Sequence, residues 1–324
     1  MRAVVLSEFG PPERLVPAEM PDPVAGPGRV VVDVELAGIT FVETQVRAGR
    51  SPNPAMAPRL PAVLGNGVGG RVASVGDGVD ASLAGALVVS TTGGTGGYAE
   101  LAAVDAAGLI AVPGGLGLPD AVALLADGRT ALALMRTAAV RAGETVVVDA
   151  AAGGVGSLLV QLASAAAARV VALAGGARKV ALAGRLGASL AVDYAEPDWA
   201  ARVRSEVGGV DVVLDGVGGA VAAAAFELVR EGGRFCAFGL ASGAFAAISD
   251  GDAAARGVTV IRGARVGPDE MAALSRAALA EAAAGRLRPV IGQTYPLDRA
   301  AEAHAAIEAR STVGKTLLVV ARAG

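Results

Sequence analysis

Short apolar runs broken by proline and glycine fill the first third of the chain. Ala3 to Leu6, Arg29 to Leu36, Gly70 to Val75, Leu87 to Ser90, Tyr98 to Val104 and Leu109 to Val112 read as strands. Pro11, Pro12, Pro21, Pro23, Pro27, Pro52, Pro54, Pro58 and Pro61 mark the loops between them. That spacing predicts a twisted, partly closed antiparallel barrel. One helix is expected over Phe41 to Ala48.

The pattern changes at Pro119. Helices are predicted over Asp120 to Ala126 and Thr130 to Val140, with Pro119 and Asp120 as the start signal. Strands then alternate with helices. The strands are Thr145 to Asp149, Arg169 to Ala174, Leu190 to Asp193, Val210 to Leu214, Arg234 to Gly239 and Val258 to Arg262. The helices are Ser157 to Ala167, Ala177 to Leu186, Asp198 to Val207, Gly219 to Arg230 and Ala253 to Arg256. Continuous apolar strands alternating with helices imply a parallel sheet buried on both faces, in the doubly wound plan. After Val266 come a helix (Asp269 to Ala284), the segment Arg288 to Tyr295, a helix (Asp298 to Ala309) and a last strand (Lys315 to Val320). The β-type ending predicts a return to the first domain. The fold class is therefore α/β, with one domain over residues 1–121 and 267–324 and a second over residues 122–266.

One stretch carries candidate chemistry. Val146-Val147-Val148-Asp149-Ala150-Ala151-Ala152-Gly153-Gly154-Val155-Gly156 reads as a buried strand, a glycine turn and a helix start. From Ala151 it has the form A-x-G-x-x-G, a variant of the dinucleotide turn. Gly153 would let the backbone approach a pyrophosphate, and Gly156 would let helix pack on strand. The helix start then offers amide N–H groups and the positive dipole end to phosphates.

Composition narrows the class. With 324 residues and 53% hydrophobic residues, the chain can build two domains with large cores. A net charge of −3 without a basic block gives no electrostatic case for nucleic acid. The apolar N-terminal run is too short for a signal peptide. The run from Ala121 to Val140 is interrupted by Asp127, Arg129 and Arg136, so it reads as core rather than membrane span. A cytoplasmic protein without a membrane partner is expected. One Cys and one His exclude an intrachain disulfide, a four-cysteine zinc site and a Cys/His/Cys catalytic zinc site; no metal is expected. Cys236 reads as a core thiol, and His304 as a surface or packing residue.

The second strand of the alternating region sharpens the ligand. An NAD site usually ends that strand with Asp or Glu on the ribose 2′-hydroxyl. Here Val170 to Ala174 runs into Gly175-Gly176-Ala177-Arg178-Lys179, two cations and no acid. Cations at a helix start are disfavoured unless an anion is near, so the charge pattern points to a 2′-phosphate and to NADPH.

Several further motifs carry a resemblance: Gly128-Arg129-Thr130-Ala131, Gly175 to Lys179 with Tyr194 fifteen residues on, Gly232 to Gly239, and Arg288-Pro289-Val290-Ile291-Gly292. Weaker ones are Gly97-Tyr98-Ala99-Glu100 and Val313-Gly314-Lys315-Thr316. With the glycine turn, they make the chain resemble the zeta-crystallin-like quinone oxidoreductases. These are zinc-independent members of the medium-chain dehydrogenase/reductase superfamily, and the likeness spans nearly the whole length. It implies a GroES-like barrel domain and a Rossmann domain with NADPH in the cleft between. Ala152, Gly153, Gly154 and Val155 would meet the pyrophosphate. Gly175, Lys179, Tyr194 and Arg310 would surround the 2′-phosphate. Val217, Phe238, Gly239 and Leu240 would line the path from adenosine to nicotinamide, with Thr130 near the nicotinamide and Thr40 to Glu43 approaching from the barrel side. It also implies a homodimer or homotetramer, with edge strands near Val258 to Arg262 as one pairing surface.

The chain departs from the family on the substrate side. Where the family often reads Asn-x-x-Asp before an R-x-G loop, it has Thr40-Phe41-Val42-Glu43 and then Arg47-Ala48-Gly49. Ser51 stands where a Tyr commonly follows, and Gly65-Asn66-Gly67 where an acid is common. The implied reaction is hydride transfer to a quinone or an α,β-unsaturated carbonyl. Hydrogen-bond donors must then meet charge growing on the carbonyl oxygen. Candidates are the hydroxyls of Thr130, Thr40 and Ser51, the Asn66 amide, and backbone N–H groups. A second reading keeps NADPH binding without turnover, as a sensor or structural protein.

Overall fold

The structure is a computed structural model that describes residues 1–264 and 266–320. It divides into two compact units, Met1–Ala126 with Ser275–Gly324, and Asp127–Leu274. The expected domain ranges also cover residues 265 and 321–324, which lie outside the described residues.

Chain order begins with β1 (Arg2–Leu6), β2 (Leu15–Glu19), β3 (Arg29–Ile39), α1 (Phe41–Arg47), β4 (Ala62–Val63), β5 (Gly67–Val75), β6 (Leu87–Thr91), β7 (Leu101–Asp105), β8 (Ile110–Ala111) and α2 (Leu118–Ala138). The alternating region follows: β9 (Thr145–Val148), α3 (Gly154–Ala165), β10 (Arg169–Ala174), α4 (Ala177–Arg185), β11 (Leu190–Asp193), α5 (Trp199–Val207), β12 (Val210–Asp215), α6 (Gly219–Phe226), β13 (Val229–Ala237), α7 (Asp250–Ala255) and β14 (Thr259–Arg262). The end is α8 (Pro268–Ala283), β15 (Ile291–Pro296), α9 (Ala300–Glu308) and β16 (Lys315–Val319).

In the first unit β3 is the organising strand. It pairs antiparallel with β5 along one side; on the other it pairs with β7 by its first half and β16 by its second. Its alternate residues Val30, Val32 and Val34 enter one core with Val68, Val72, Val104 and Leu318. Gly70 opposes Val34 beside a bulge, where a Cβ would lie 1.9 Å from the Asp33 carbonyl oxygen. Only a residue without a side chain lets the strands close there. The strand β16 reaches this sheet from the far end of the sequence, so the unit is discontinuous in the chain.

In the second unit all six strands are parallel, in the order β11-β10-β9-β12-β13-β14. This is the doubly wound order, and it reverses between β9 and β12, the place where such sheets bind ligands outside the strand ends. Every residue of β9 is buried, as a strand covered on both faces requires. Val147, Val171, Leu173, Val213 and Phe235 share one core.

Among the elements that differ from the pattern-based reading, three have a clear physical reason. The two helices expected around Asp127 to Arg129 are one, α2, of 21 residues. Gly128 costs a helix about 1 kcal/mol relative to Ala, but Val122, Leu124 and Leu125 before it and Ala131, Ala133 and Leu134 after it are all buried and carry the helix through. β2 was hidden by Pro17, which the sheet tolerates because β2 is an edge strand. β13 begins at Val229, before Gly232 and Gly233, and its pairing with β12 is irregular there. Among the described residues, no helix is long and apolar enough to cross a membrane.

Candidate functional site

The glycine turn lies where β9 runs into α3. Gly153 is the residue before the helix and brings no capping side chain. A Cβ on Gly156 would sit 2.2 Å from the Ala150 carbonyl oxygen, and one on Gly154 would sit 2.1 Å from the Asp127 Oδ2. Gly154 meets the end of the Asp127 side chain, whereas Gly156, which meets backbone, therefore demands glycine and brings α3 tight against the strand end. Its first-turn amides have no side-chain cap and form an anion-ready helix start. Ala152 is buried, and Gly153, Gly154 and Val155 are half-buried at this turn. The Asp127 carboxylate packing on Gly154 was not foreseen, because nothing local in the sequence links α2 to the turn.

The end of β10 modifies the charge argument. Gly175 is packed by the Tyr194 ring, whose atoms lie 3.3–3.4 Å from where a Gly175 Cβ would be. Lys179 falls in the first turn of α4, and Gly176 before that helix again has no capping side chain. The absence of an acid on β10 is real, but the neighbouring strand supplies one. Asp193 Oδ2 accepts the Gly176 N–H at 2.9 Å and its Oδ1 accepts the Ala195 N–H at 2.9 Å. An anion therefore already stands at the α4 start, so the cations there do not by themselves require a phosphate. Asp193 ties the Gly175–Gly176 bend to the Tyr194 turn.

At the end of β12 the structure gathers a set that the sequence scatters. Gly216 accepts the Phe238 ring, which lies 2.9 Å from where its Cβ would be. The Phe238 and Gly239 N–H groups donate to the Asp215 carbonyl at 2.8 and 3.1 Å. A Cβ on Gly239 would meet the Gly216 carbonyl at 2.3 Å. Val217 and the Phe238-Gly239-Leu240 segment thus form one wall. Beneath it sit two fully buried carboxyls, Asp149 and Asp215. Burial pushes the Asp149 carboxyl well above the usual carboxylate range, and the neighbouring Asp215 adds to the rise. Thr130 lies half-buried on α2 in the same unit.

In the first unit the substrate-side candidates converge on Glu43, which the sequence reading had left as a neighbour of Thr40. Glu43 is buried, and its Oε2 accepts the Thr40 N–H at 2.5 Å and the Thr40 hydroxyl at 2.9 Å. Its Oε1 accepts the Asn66 N–H at 2.8 Å. Burial raises its pKa; the Thr40 and Asn66 donors and the Lys315 charge oppose the rise. In the structure the Thr40 hydroxyl is paired with Glu43. Ser51 is likewise engaged, its hydroxyl donating to the Asn53 carbonyl at 2.7 Å in an exposed loop. Asn66 is fixed through its backbone, which leaves the side-chain amide as the donor. Arg310 belongs to this unit, has a left-handed backbone (φ 56) and lies over the Phe41 ring at 5.2 Å. His304 is a packing residue: its Nε2 lies 3.1 Å from the buried Tyr98 hydroxyl, and burial lowers its pKa to about 3. Cys236 is buried in β13.

Comparison with known proteins agrees with this architecture. Residues 26–114 match the alcohol dehydrogenase GroES-like domain, and residues 186–318 match a family described as zinc-binding dehydrogenase. A quinone oxidoreductase of Pseudomonas aeruginosa is 31% identical, over 98% of this chain and 99% of its own. A mycobacterial protein solved in complex with NADPH superposes with a TM-score of 0.89 at 33% identity, over 99% of this chain and 100% of its own. A structure described as an NAD-dependent alcohol dehydrogenase superposes with a TM-score of 0.90 at 31% identity, over 99% of this chain and 100% of its own.

Proposed function

Because the chain belongs to the quinone oxidoreductase family of the medium-chain dehydrogenase/reductase superfamily, we propose that it is an NADPH-dependent reductase of quinones or α,β-unsaturated carbonyls that works without zinc. The observation that carries this reading is the uncapped glycine turn between β9 and α3 at the switch point of the sheet. It fits a pyrophosphate by a helix start whose N-cap glycine brings no side chain and by close backbone packing at Gly156. The bound nicotinamide would supply the hydride.

The chain's own residues bind, orient and shield. The amides at Gly153, Gly154 and Val155 hold the diphosphate. Lys179 would meet the 2′-phosphate, with the Tyr194 ring on Gly175 forming the adjacent surface. Val217, Phe238, Gly239 and Leu240 form the wall along the nucleoside. Thr130 faces the ring. Donor candidates for the substrate oxygen are the Thr130 hydroxyl in the second unit and, in the first, the Thr40 hydroxyl and the Asn66 amide. Zinc is not required by this scheme, and the donor set does not fit it. The single Cys and His are both buried, His304 against Tyr98, and no cluster of three His, Cys, Asp or Glu occurs among the described residues.

NADPH oxidation with a panel of quinones and enones tests the proposal. Turnover above the uncatalysed rate supports it. Tight NADPH binding without turnover on either class would instead support a sensor or structural role, which the altered Thr40, Ser51 and Asn66 segment motivates. We also propose a homodimer through β14, an edge of the six-stranded sheet. Sedimentation showing only monomer dismisses that.

A further inference from the structure

Asp149 and Asp215 are both 0% exposed and sit at the ends of the adjacent parallel strands β9 and β12, one step beyond the pair Val148 and Leu214. Asp149 Oδ1 accepts the Gly216 N–H at 2.6 Å and the Val217 N–H at 3.1 Å. Asp215 Oδ1 accepts the Val217 N–H at 3.1 Å and the Gly218 N–H at 2.8 Å. The three consecutive amides of the Gly216–Gly218 turn therefore all point into this one pair, and the Val217 amide is shared between them. Each carboxyl is left with one oxygen, Oδ2, that is buried and has no partner among the described residues. The two carboxyls meet at the shared Val217 amide, 3.1 Å from an oxygen of each, and Asp215 helps raise the Asp149 pKa. Two charged, unpartnered oxygens cannot rest together in a dry interior. A single proton between them removes one charge and satisfies both atoms.

We propose that Asp149 and Asp215 share one proton between their Oδ2 atoms and act as a positioning pair, holding the Gly216–Gly218 turn in the form that receives the dinucleotide. The turn matters because Val217 is part of the nucleoside wall and Phe238 packs on Gly216. Losing the proton would place two charges side by side beneath that wall and push the turn outward. The flanking elements also carry Asp120, Asp127, Arg129 and Arg136 on α2, Arg178, Lys179 and Arg185 on α4, Asp193 at the end of β11, and Arg230, Glu231 and Arg234 on β13. Asp215 responds to Asp149 and to none of these. The pair is thus set by its own geometry. The link to the dinucleotide rests on the NADPH reading above; the shared proton does not.

The test uses the full chain, D149N and D149L. Asn keeps an acceptor for Gly216 and gives Asp215 a permanent N–H donor, whereas Leu does neither. Infrared spectra at neutral pH should show a protonated-carboxyl band in the wild type that D149N lacks. Amide exchange at Gly216 to Gly218 should be at least roughly tenfold faster in D149L than in the wild type, with D149N slower than D149L. NADPH affinity in the wild type should fall as pH rises from neutral to alkaline. D149N should lose that fall, and D149L should bind roughly tenfold or more weakly throughout. The proposal is overturned by a wild type without the band, by D149N with the wild-type pH profile, or by D149L with wild-type exchange. If D149L does not fold, the band and the D149N profile decide. If the wild type binds no NADPH, the functional reading fails while the band and the exchange rates still judge the pair.

Discussion

The two units each bury carboxyl groups beside their candidate sites, and they solve the cost of burial in opposite ways. In the barrel unit Glu43 is surrounded by donors: two backbone amides and a hydroxyl converge on one carboxylate. In the doubly wound unit Asp149 and Asp215 divide three amides and face each other with the oxygens left over. The donors around Glu43 offset part of the burial that raises its pKa. The Asp pair can stay buried because one member keeps a proton. The first arrangement fixes two substrate-side residues, Thr40 and Asn66. The second fixes a turn that has no side chains of its own to anchor it.

The comparison can be broken most severely at the dinucleotide turn. Gly156→Val would force a side chain onto the Ala150 carbonyl, where even a Cβ would lie at 2.2 Å. Overpacking of this kind costs about 1–3 kcal/mol or more. NADPH binding by calorimetry should then weaken by at least about tenfold and in the strongest case vanish. Binding within twofold of wild type would mean that α3 need not pack this closely.

Glu43→Ala tests the barrel arrangement. It strips the acceptor from three donors at once, and each buried group left unpaired costs roughly 1–3 kcal/mol. Denaturant unfolding should show a loss of about 3 kcal/mol, and turnover should fall further than NADPH affinity. A loss below about 0.5 kcal/mol would show that water or rearrangement replaces Glu43.

Lys179→Ala separates the 2′-phosphate from the Asp193 brace. Removing a hydrogen bond to a charged group, roughly 1.5–3 kcal/mol, should weaken NADPH by ten- to about a hundredfold and leave NADH nearly unchanged. Equal losses for both nucleotides would assign Lys179 to the Asp193 anion instead.

The gentlest test concerns His304. Its folded pKa, lowered to about 3, lies below the ordinary value of 6.5. Above that ordinary value both folded and unfolded forms are neutral and the contribution is constant. As pH falls from 6.5 towards 3, the unfolded chain takes up a proton that the buried ring refuses, so stability drops by at most about 1.4 kcal/mol per pH unit. His304→Gln should flatten this acid slope in thermal melts. An unchanged slope would mean that His304 is already charged or exposed in the folded chain. The Asp149 carboxyl acts in the reverse sense, its folded pKa being raised. Its contribution is complete below the ordinary carboxylate range and is lost as pH rises through the folded value. Only the difference between His304→Gln and wild type isolates the histidine.

Much of the alternating unit was legible in the sequence. β10 and β11 fall on the residues predicted for them, β10 because a strand covered on both faces must be almost wholly apolar. The turn from Asp149 to Gly156 was legible because close backbone approach leaves a glycine signature. β2 was not, since Pro17 reads as a loop until a sheet edge is there to accept it. The Glu43 hub was not, because its donors come from Thr40 beside it and from Asn66, which only folding brings near. Nor was the carboxyl at the α4 start, since Asp193 lies on the next strand.

The sequence by itself determined the order of elements, the glycine turn and the scarcity of metal-binding side chains, all properties of local pattern and residue count. Tertiary structure decided which polar groups meet. It paired the Thr40 hydroxyl with Glu43, set Asp193 at the α4 start and brought Asp149 against Asp215. Hydrogen bonding and charge act over a few ångströms of space. The chain separates those partners by 3, 17 and 66 residues, and only the shortest of these spacings is local to one helical turn.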